Sequence, residues 1–322
     1  MSTPPRIAVV GSANVDLITF IDRVPEPGET IFGTHFDLGW GGKGANQAVA
    51  ARLCGADVDM VARVGDDLFG AATIQNFREQ GIGTEHVRIV PNASSGVAPI
   101  FVDPNGQNRI IVVKGANDRL SPADVDEALP VLQRAGCIVL QLEVPIETVY
   151  HTIRIANRLG IRCLLNPAPA QTLDIGVVSE ADYFIPNEPE AETISGMRVR
   201  SVDEARACAH ALIGKGLKRV IITLGEKGAL LATKDGTELV PGFNVATKDT
   251  TGAGDAFIGS FAVFLAEGFS EREAIARANL FAAISTTRVG TQKSFTNRLH
   301  FDEAWNARSV AGTSSVPRRS EI

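Results

Sequence analysis

The sequence predicts an α/β protein whose central, mostly parallel sheet is flanked by helices and carries a small β-sheet lid. Three observations predict this fold. Short β-branched runs alternate with segments of helical spacing along most of the chain, the pattern of strands joined by crossover helices. The strand runs are continuously apolar rather than alternating, as strands covered on both faces are. Two stretches, residues 14–40 and 95–113, break the rhythm with alternating, turn-rich sequence.

The elements follow in order. RIAVVG (6–11) is a β-branched run closed by glycine, a buried strand. Residues 14–40, including VPEPGET, read as turn-rich extended chain. A helix fits Ala45–Leu53 and a strand fits Val58–Val64. In residues 95–113, GVAPIFV and RIIVV flank DPNGQN, whose Pro104, Asn105 and Gly106 suit a hairpin turn. Paired with residues 14–40, this hairpin makes the lid. Ser121-Pro122 opens a helix, with Ser as cap and Pro at the first helical position. CIVLQL (137–142), RCLLN (162–166), DYFIP (182–186) and RVIITLG (219–225) are further buried strands. Ile146–Leu159 and Val202–Lys215 keep helical spacing between them. DTTGAGDAFIGSF (249–261) is a glycine turn running into an apolar helix. The polar, aperiodic stretch 309–322 is expected to be disordered, leaving one domain over 1–308.

Composition excludes several classes. The 322 residues carry a net charge of −6 with no long basic block, so no nucleic-acid footprint or polybasic membrane patch is expected. The most apolar helical segment, 256–266, is too short to span a bilayer. MSTPPRIAVVGS lacks the pattern of a secretory signal. Cys54, Cys137, Cys163 and Cys208 form no C-x-x-C pair, which suits a reducing, cytoplasmic compartment. A P-loop, the protein-kinase signatures, a G-x-S-x-G elbow and an H-E-x-x-H zinc motif are all missing.

In DTTGAGDAFIGSF, Gly252, Ala253 and Gly254 precede Asp255 at a helix start. The first N–H groups of a helix are unpaired, and glycines let a phosphate approach them, so this turn can form an anion hole. Asp255 beside it can act as a general base. The positive helix end is expected to keep it ionised. The same pattern also fits an Asp that merely caps a core helix.

WGGKGANQAVAAR (40–52) contains Gly39-x-Gly41-x-x-Gly44, the dinucleotide-fingerprint spacing. THFDLGW before it makes a poor buried strand, which argues against that reading. Gly41 and Gly42 instead permit close contact with a small polar ligand, and Asn46 projects from the first helical turn. Lys43 fits a ligand group or a solvated surface lysine. GSANVDL (11–17) follows the first strand and puts Asn14 and Asp16 at its carboxyl end, where α/β sheets bind ligands. Either residue also fits a simple strand-ending turn. Glu143, Asn187, Glu190 and the turn TLGEKG (223–228) end other strands at that edge. Caps and surface charges are their alternative roles.

WGGKGANQAVAA and DTTGAGDAFIGSF, in this order and separation, resemble the two signature segments of the ribokinase-like (pfkB) carbohydrate kinases, in the ribokinase/deoxyribokinase branch. GSANVD, LQLE, LNPAPA, PNEPEAE and ITLGEKG resemble the segments between, so the likeness runs from about Arg6 to Ser294. It implies a Rossmann-like ribokinase fold, ATP as donor and Mg²⁺ as the working metal. It implies that Asn14, Asp16, Gly42, Lys43, Asn46 and Glu143 contact the sugar. Asp255 would be the base beside the hole of Gly252, Ala253 and Gly254. Asn187 and the turn with Thr223, Gly225 and Gly228 would face the nucleotide, with Asn279 near the adenine. Glu190 would act on Mg²⁺ and phosphate. Asp249, Thr251, Ser285, Arg288, Gly290 and Ser294 stand where many relatives bind an activating K⁺. GGKGANQ resembles ribokinases, whereas VDLITF and GVAPIF resemble deoxyribokinases, which tend to carry Met at the position of Asn14. A polar Asn14 can satisfy a 2-hydroxyl, so D-ribose is expected over 2-deoxy-D-ribose. The exposed edges of a standing lid suit a homodimer.

Overall fold

Successive side chains of a strand point to opposite faces. In β1 (Arg6–Val10), Ile7 and Val9 accordingly enter one apolar core, and Ala8 and Val10 enter a second. The computed structural model describes residues 3–312 and shows how the rest of the chain builds these two layers.

From β1 the chain crosses at residues 11–13 into a second sheet, through β2 (Asn14–Phe20) and β3 (His35–Gly41). It returns by α1 (Lys43–Leu53) to β4 (Asp57–Gly65), α2 (Leu68–Glu79) and β5 (Gly83–Val90). Strands β6 (Gly96–Val102) and β7 (Asn108–Ile110) then complete the second sheet. After α3 (Pro122–Glu127) and α4 (Leu129–Leu132) comes an alternation of strands and helices. It comprises β8 (Cys137–Leu140), α5 (Ile146–Leu159), β9 (Arg162–Leu165), α6 (Ile175–Val178), β10 (Tyr183–Phe184), α7 (Glu188–Ser195), α8 (Val202–Gly214) and β11 (Val220–Thr223). An antiparallel pair follows, β12 (Gly228–Thr233) and β13 (Gly236–Pro241), and then α9 (Ala253–Ala266), α10 (Glu271–Ser285) and α11 (Arg298–Gly312).

The main sheet has nine strands in the order β13-β12-β11-β10-β9-β8-β1-β4-β5, parallel except for β12 and β13. The second sheet runs β3-β2-β6-β7. Its strands come from the two stretches whose sequence broke the α/β rhythm. Strands β6 and β7 form the predicted hairpin, and β6 lies parallel to β2. At the predicted helix start, the Asp124 carboxylate accepts hydrogen bonds of 2.9 Å from both the N–H and the Oγ of Ser121. The predicted tail, 309–322, lies outside the described residues from 313 onward; helical backbone continues to Gly312.

Helix α9 is buried from Asp255 to Leu265. It packs backbone to backbone on α1, since a β-carbon at Gly259 would stand 2.4 Å from the carbonyl oxygen of Gln47. That close approach brings the start of α9 against the first turns of α1 and fixes the site. Among the described residues no helix is long and apolar enough to cross a membrane.

Candidate active site

Asp255 is the third residue of α9. Its Oδ2 accepts a 2.9 Å hydrogen bond from Asn46 Nδ2, and its Oδ1 accepts one of 2.9 Å from Gln47 Nε2. Two adjacent residues of α1 therefore grip both carboxylate oxygens. Burial drives the carboxyl above its usual range, against the opposing pull of Lys43 and the two amides. The helix end does not dominate, as the sequence suggested; removal from water does. A base with a raised pKa is better matched to neutral conditions.

The N–H of Ala253 is turned inward to Thr250 O at 3.2 Å. Among the described residues, the N–H groups of Gly252, Gly254 and Asp255 have no hydrogen-bond partner. The open donors at the helix mouth thus belong to 252, 254 and 255 rather than to 253. Gly252 has φ +78°, and a β-carbon there would meet Thr291. At Gly254 an added β-carbon would meet no protein atom within 4 Å, because that space is cavity.

On the lid side, β2 places Asn14 and Asp16. A β-carbon at Gly41 would stand 2.3 Å from Asp16 Oδ1, and one at Gly42 2.7 Å from the backbone nitrogen of Asn14. The paired glycines therefore admit the chain of β2 itself, not only a ligand. Burial, then repulsion from Glu143 and Asp255, pushes Asp16 up to about 7. One oxygen of Glu143 accepts hydrogen bonds from Ser12 Oγ and from the N–H of Lys43 (2.9 Å), fastening the start of α1. Lys43 is not a free surface lysine. Burial alone would lower its pKa, but the carboxylates of Asp255, Glu143 and Glu190 outweigh this and raise it.

Two cavities meet at this helix mouth. The smaller, about 160 Å³, is lined by Lys43, Asn166, Asn187, Glu190, Thr223 and Asp255, among others. The larger, about 730 Å³, opens beyond Thr223 and Gly254, which line both, and extends past Gly225, Gly228, Phe243 and Asn279. Asn187 and Glu190 form a capping box on α7, with bonds of 2.8 and 2.9 Å, so the cap role and the site role coincide. Asn279 spends its amide hydrogens on the carbonyls of Val240 and Pro241, both at 3.1 Å, and closes the far wall. Gly228, at φ +102°, lets β12 pass within contact of residues 240–242.

A third group gathers behind the helix mouth. Asp249 Oδ1 accepts from the N–H (2.9 Å) and Oγ1 (2.7 Å) of Thr251, and its Oδ2 accepts from the N–H of Gly290 (2.9 Å). Burial works against its charge, but these hydrogen bonds prevail and hold its pKa below the usual range. The carbonyl of Ser285 accepts from the N–H of Arg288 at 3.3 Å, and Ser294 Oγ bonds Thr291 O. The loop before α9 is thereby tied to the loop after α10.

Sequence reasoning missed Asn117, Gln47, Gln141 and Asn166 as parts of the site. Gln141 and Asn166 stand as amides inside apolar strand runs, and a buried amide requires partners. That requirement was the available signal.

This architecture and this site define a class. The structure is similar to that of ribokinase of Arabidopsis thaliana complexed with ribose and ATP, with a TM-score of 0.87 at 29% identity over 94% of this chain and 98% of that one. The family model for pfkB family carbohydrate kinases matches residues 4–298. Over 298 residues the chain is 50% identical to deoxyribokinase of Salmonella typhi, covering 92% of this chain and 97% of the relative. Ribokinase of Haemophilus influenzae is 38% identical over 292 residues, 91% and 95% of the two chains. The chain belongs to the pfkB family of carbohydrate kinases, and is a sugar kinase of its ribokinase/deoxyribokinase branch.

Proposed function

We propose that the protein transfers the γ-phosphoryl group of ATP to the 5-hydroxyl of D-ribose, giving D-ribose 5-phosphate and ADP. The observation that carries this reading is the position of Asp255. It is held by two amides at a helix mouth where a chamber of about 160 Å³ joins a larger cleft.

In this reading ATP lies in the larger cleft and its phosphates reach the unpaired N–H groups of residues 252, 254 and 255. The sugar lies between lid and sheet, over Asn14, Asp16, Gly42, Lys43, Asn46 and Glu143. Its 5-hydroxyl proton passes to Asp255 as the oxygen–phosphorus bond forms and the bond to the β-phosphate oxygen breaks, so ADP leaves with the electron pair. Lys43 offsets charge building on the transferred group.

Mg²⁺ would supply charge neutralisation on the phosphates. Asn187 and Glu190 are oxygen donors lining the small chamber, and an ion that keeps several waters and phosphate oxygens asks little more of the protein. Among the described residues no group of three or more His, Cys, Asp or Glu side chains would hold a metal alone. K⁺ fits the loops around Asp249, Thr251, Ser285, Arg288, Gly290 and Ser294, which Asp249 already draws together. Four buried free cysteines support a cytoplasmic setting. Exposed Phe36 on β3 and Ile110 on β7 support a homodimer through the lid edges.

For the sugar, Asn14 favours ribose. The alternative is 2-deoxy-D-ribose, favoured by the 50% identity to a deoxyribokinase. The test is ADP release with ATP and Mg²⁺ on ribose, 2-deoxyribose, fructose and adenosine, with and without K⁺. The highest kcat/KM on ribose supports the proposal; a higher value on 2-deoxyribose overturns it.

A further inference from the structure

Beneath Asp255 lies a chain of buried amides that ends on a backbone carbonyl. Asn166 Nδ2 donates to Ile185 O at 2.9 Å. A carbonyl can only accept, so this bond fixes which end of the Asn166 amide is which. Asn166 Oδ1 is thereby turned to Gln47, and Gln47 Nε2 donates to it at 3.2 Å. The other side of Gln47 is fixed as well, because Gln141 Nε2 donates to Gln47 Oε1 at 2.6 Å. Gln47 must then present its Nε2 hydrogens to the base, and it does, at 2.9 Å from Asp255 Oδ1. Gln47 and Gln141 are both fully buried. Gln141 Oε1 has no partner of its own, a cost tolerated inside this chain.

We infer that Gln47 is a positioning residue for the base: anchored through Asn166 on the Ile185 carbonyl, it locks the plane of the Asp255 carboxylate for attack of the sugar hydroxyl. A carboxylate with one fixed donor on each oxygen does not rotate about its Cβ–Cγ bond. Asn46 supplies the second donor, but its own amide is steered by Gln292 Nε2, 3.0 Å away in a half-buried 3-10 turn after α10. Gln47 is the anchor that leads into the sheet. Small displacements of a reacting group cost on the order of 100-fold in rate, which makes such an anchor worth its buried polar atoms.

This inference rests on Asp255 being the base. Its test replaces Gln47 with Met, similar in length but without donors, and measures steady-state kinetics and sugar binding by calorimetry without ATP. The expected result is a kcat lowered roughly 10- to 100-fold, with both KM values and the sugar affinity within about threefold. Proportional loss of binding and turnover would mark a merely structural role and overturn the inference, as would a kcat within twofold of normal. Asn166→Ala leaves the carboxylate's direct donors in place and frees the anchor of Gln47. It also removes a contact to Glu190 in the small chamber, so its sugar and ATP affinities are measured beside kcat. This variant is expected to reproduce the kcat loss in milder form. It decides the matter should Gln47→Met not fold; normal kcat in Asn166→Ala then overturns the inference. An Asp255→Asn variant run alongside separates the two failures. If it stays active, the base assignment itself is wrong; if it is dead while Gln47→Met is normal, only the positioning role falls.

Discussion

Asn117 Nδ2 donates to Asn14 Oδ1 at 2.7 Å, while Asn117 Oδ1 accepts from the N–H of Ala13 at 2.9 Å. The backbone bond fixes the Asn117 amide, and Asn117 in turn fixes that of Asn14. Among the described residues Asn14 Nδ2 has no partner, so the site offers a donor there. A sugar hydroxyl can accept it, and a methylene cannot. Asn14→Met is therefore expected to lower the ratio of kcat/KM for ribose over 2-deoxyribose by roughly tenfold or more, the worth of one buried hydrogen bond left unmade. Parallel kinetics on the two sugars read this ratio, and an unchanged ratio removes Asn14 from the specificity argument.

The double grip on Asp255 makes a second expectation concrete. Asp255→Asn keeps the shape but cannot take a proton, and its amide nitrogen must face one of the two donors that hold the carboxylate. Its kcat should fall about 10²- to 10⁴-fold, the usual contribution of a positioned base, with sugar KM close to normal. Single-turnover ADP formation at saturating ribose and ATP measures it. Turnover near normal would assign proton removal to solvent.

How much of this was legible beforehand depends on sequence separation. Asp255 and the glycines before it occupy four consecutive residues, 252–255, and the constraints on a helix start are local. Asn14 and Asp16 were expected at the carboxyl end of the first strand; the structure sets both within β2, the strand of the second sheet that follows it. The link from Asn46 and Gln47 to Asp255 spans 209 and 208 residues and exists only because Gly259 lets two helices touch. Periodicity carries no record of that contact. The doublet Gly41-Gly42 was legible as a close approach, but not the identity of what approaches. The antiparallel edge escaped prediction because β13 has only Val240 buried and lacks the continuous apolar run by which the buried strands were read.

Asp16 yields a pH prediction. Its carboxyl titrates at about 7 in the folded protein against 3.8 for an ordinary aspartate, chiefly through burial, with Glu143 and Asp255 adding repulsion. Between those two values the folded state keeps a proton that the unfolded chain has released. Stability must therefore fall as pH rises from about 4 to 7, and stay lower above 7. Asp16→Asn lacks this slope and should be the more stable protein at pH 8, by roughly 1–3 kcal/mol once water in the open cleft is allowed for. Urea denaturation of both proteins at pH 5 and 8 tests it. In the same window the ribose KM of the unmodified enzyme should fall as pH rises, because only the ionised carboxylate accepts from two hydroxyls. Equal pH slopes for the two proteins would contradict the assignment.

Gly254 and Gly252 offer a contrast between space needed for folding and space needed for substrate. At Gly254 the backbone is ordinary helix and an added methyl meets no protein atom. Gly254→Ala should fold normally and gain up to about 1 kcal/mol, since alanine is the better helix former. The same methyl projects into the space shared by the two cavities, where the proposed phosphates must approach the helix N–H groups. The KM for ATP should rise about tenfold or more, equivalent to ~1.4 kcal/mol of lost binding, with ribose affinity little changed. At Gly252 the logic reverses. Its φ of +78° and the 2.6 Å approach to Thr291 Cγ2 put strain on any side chain, so Gly252→Ala should lose stability before its kinetics can be read. Thermal melts paired with ATP and ribose titrations distinguish the two. A Gly254→Ala enzyme with unaltered ATP kinetics would show that the phosphates do not pass over this helix mouth.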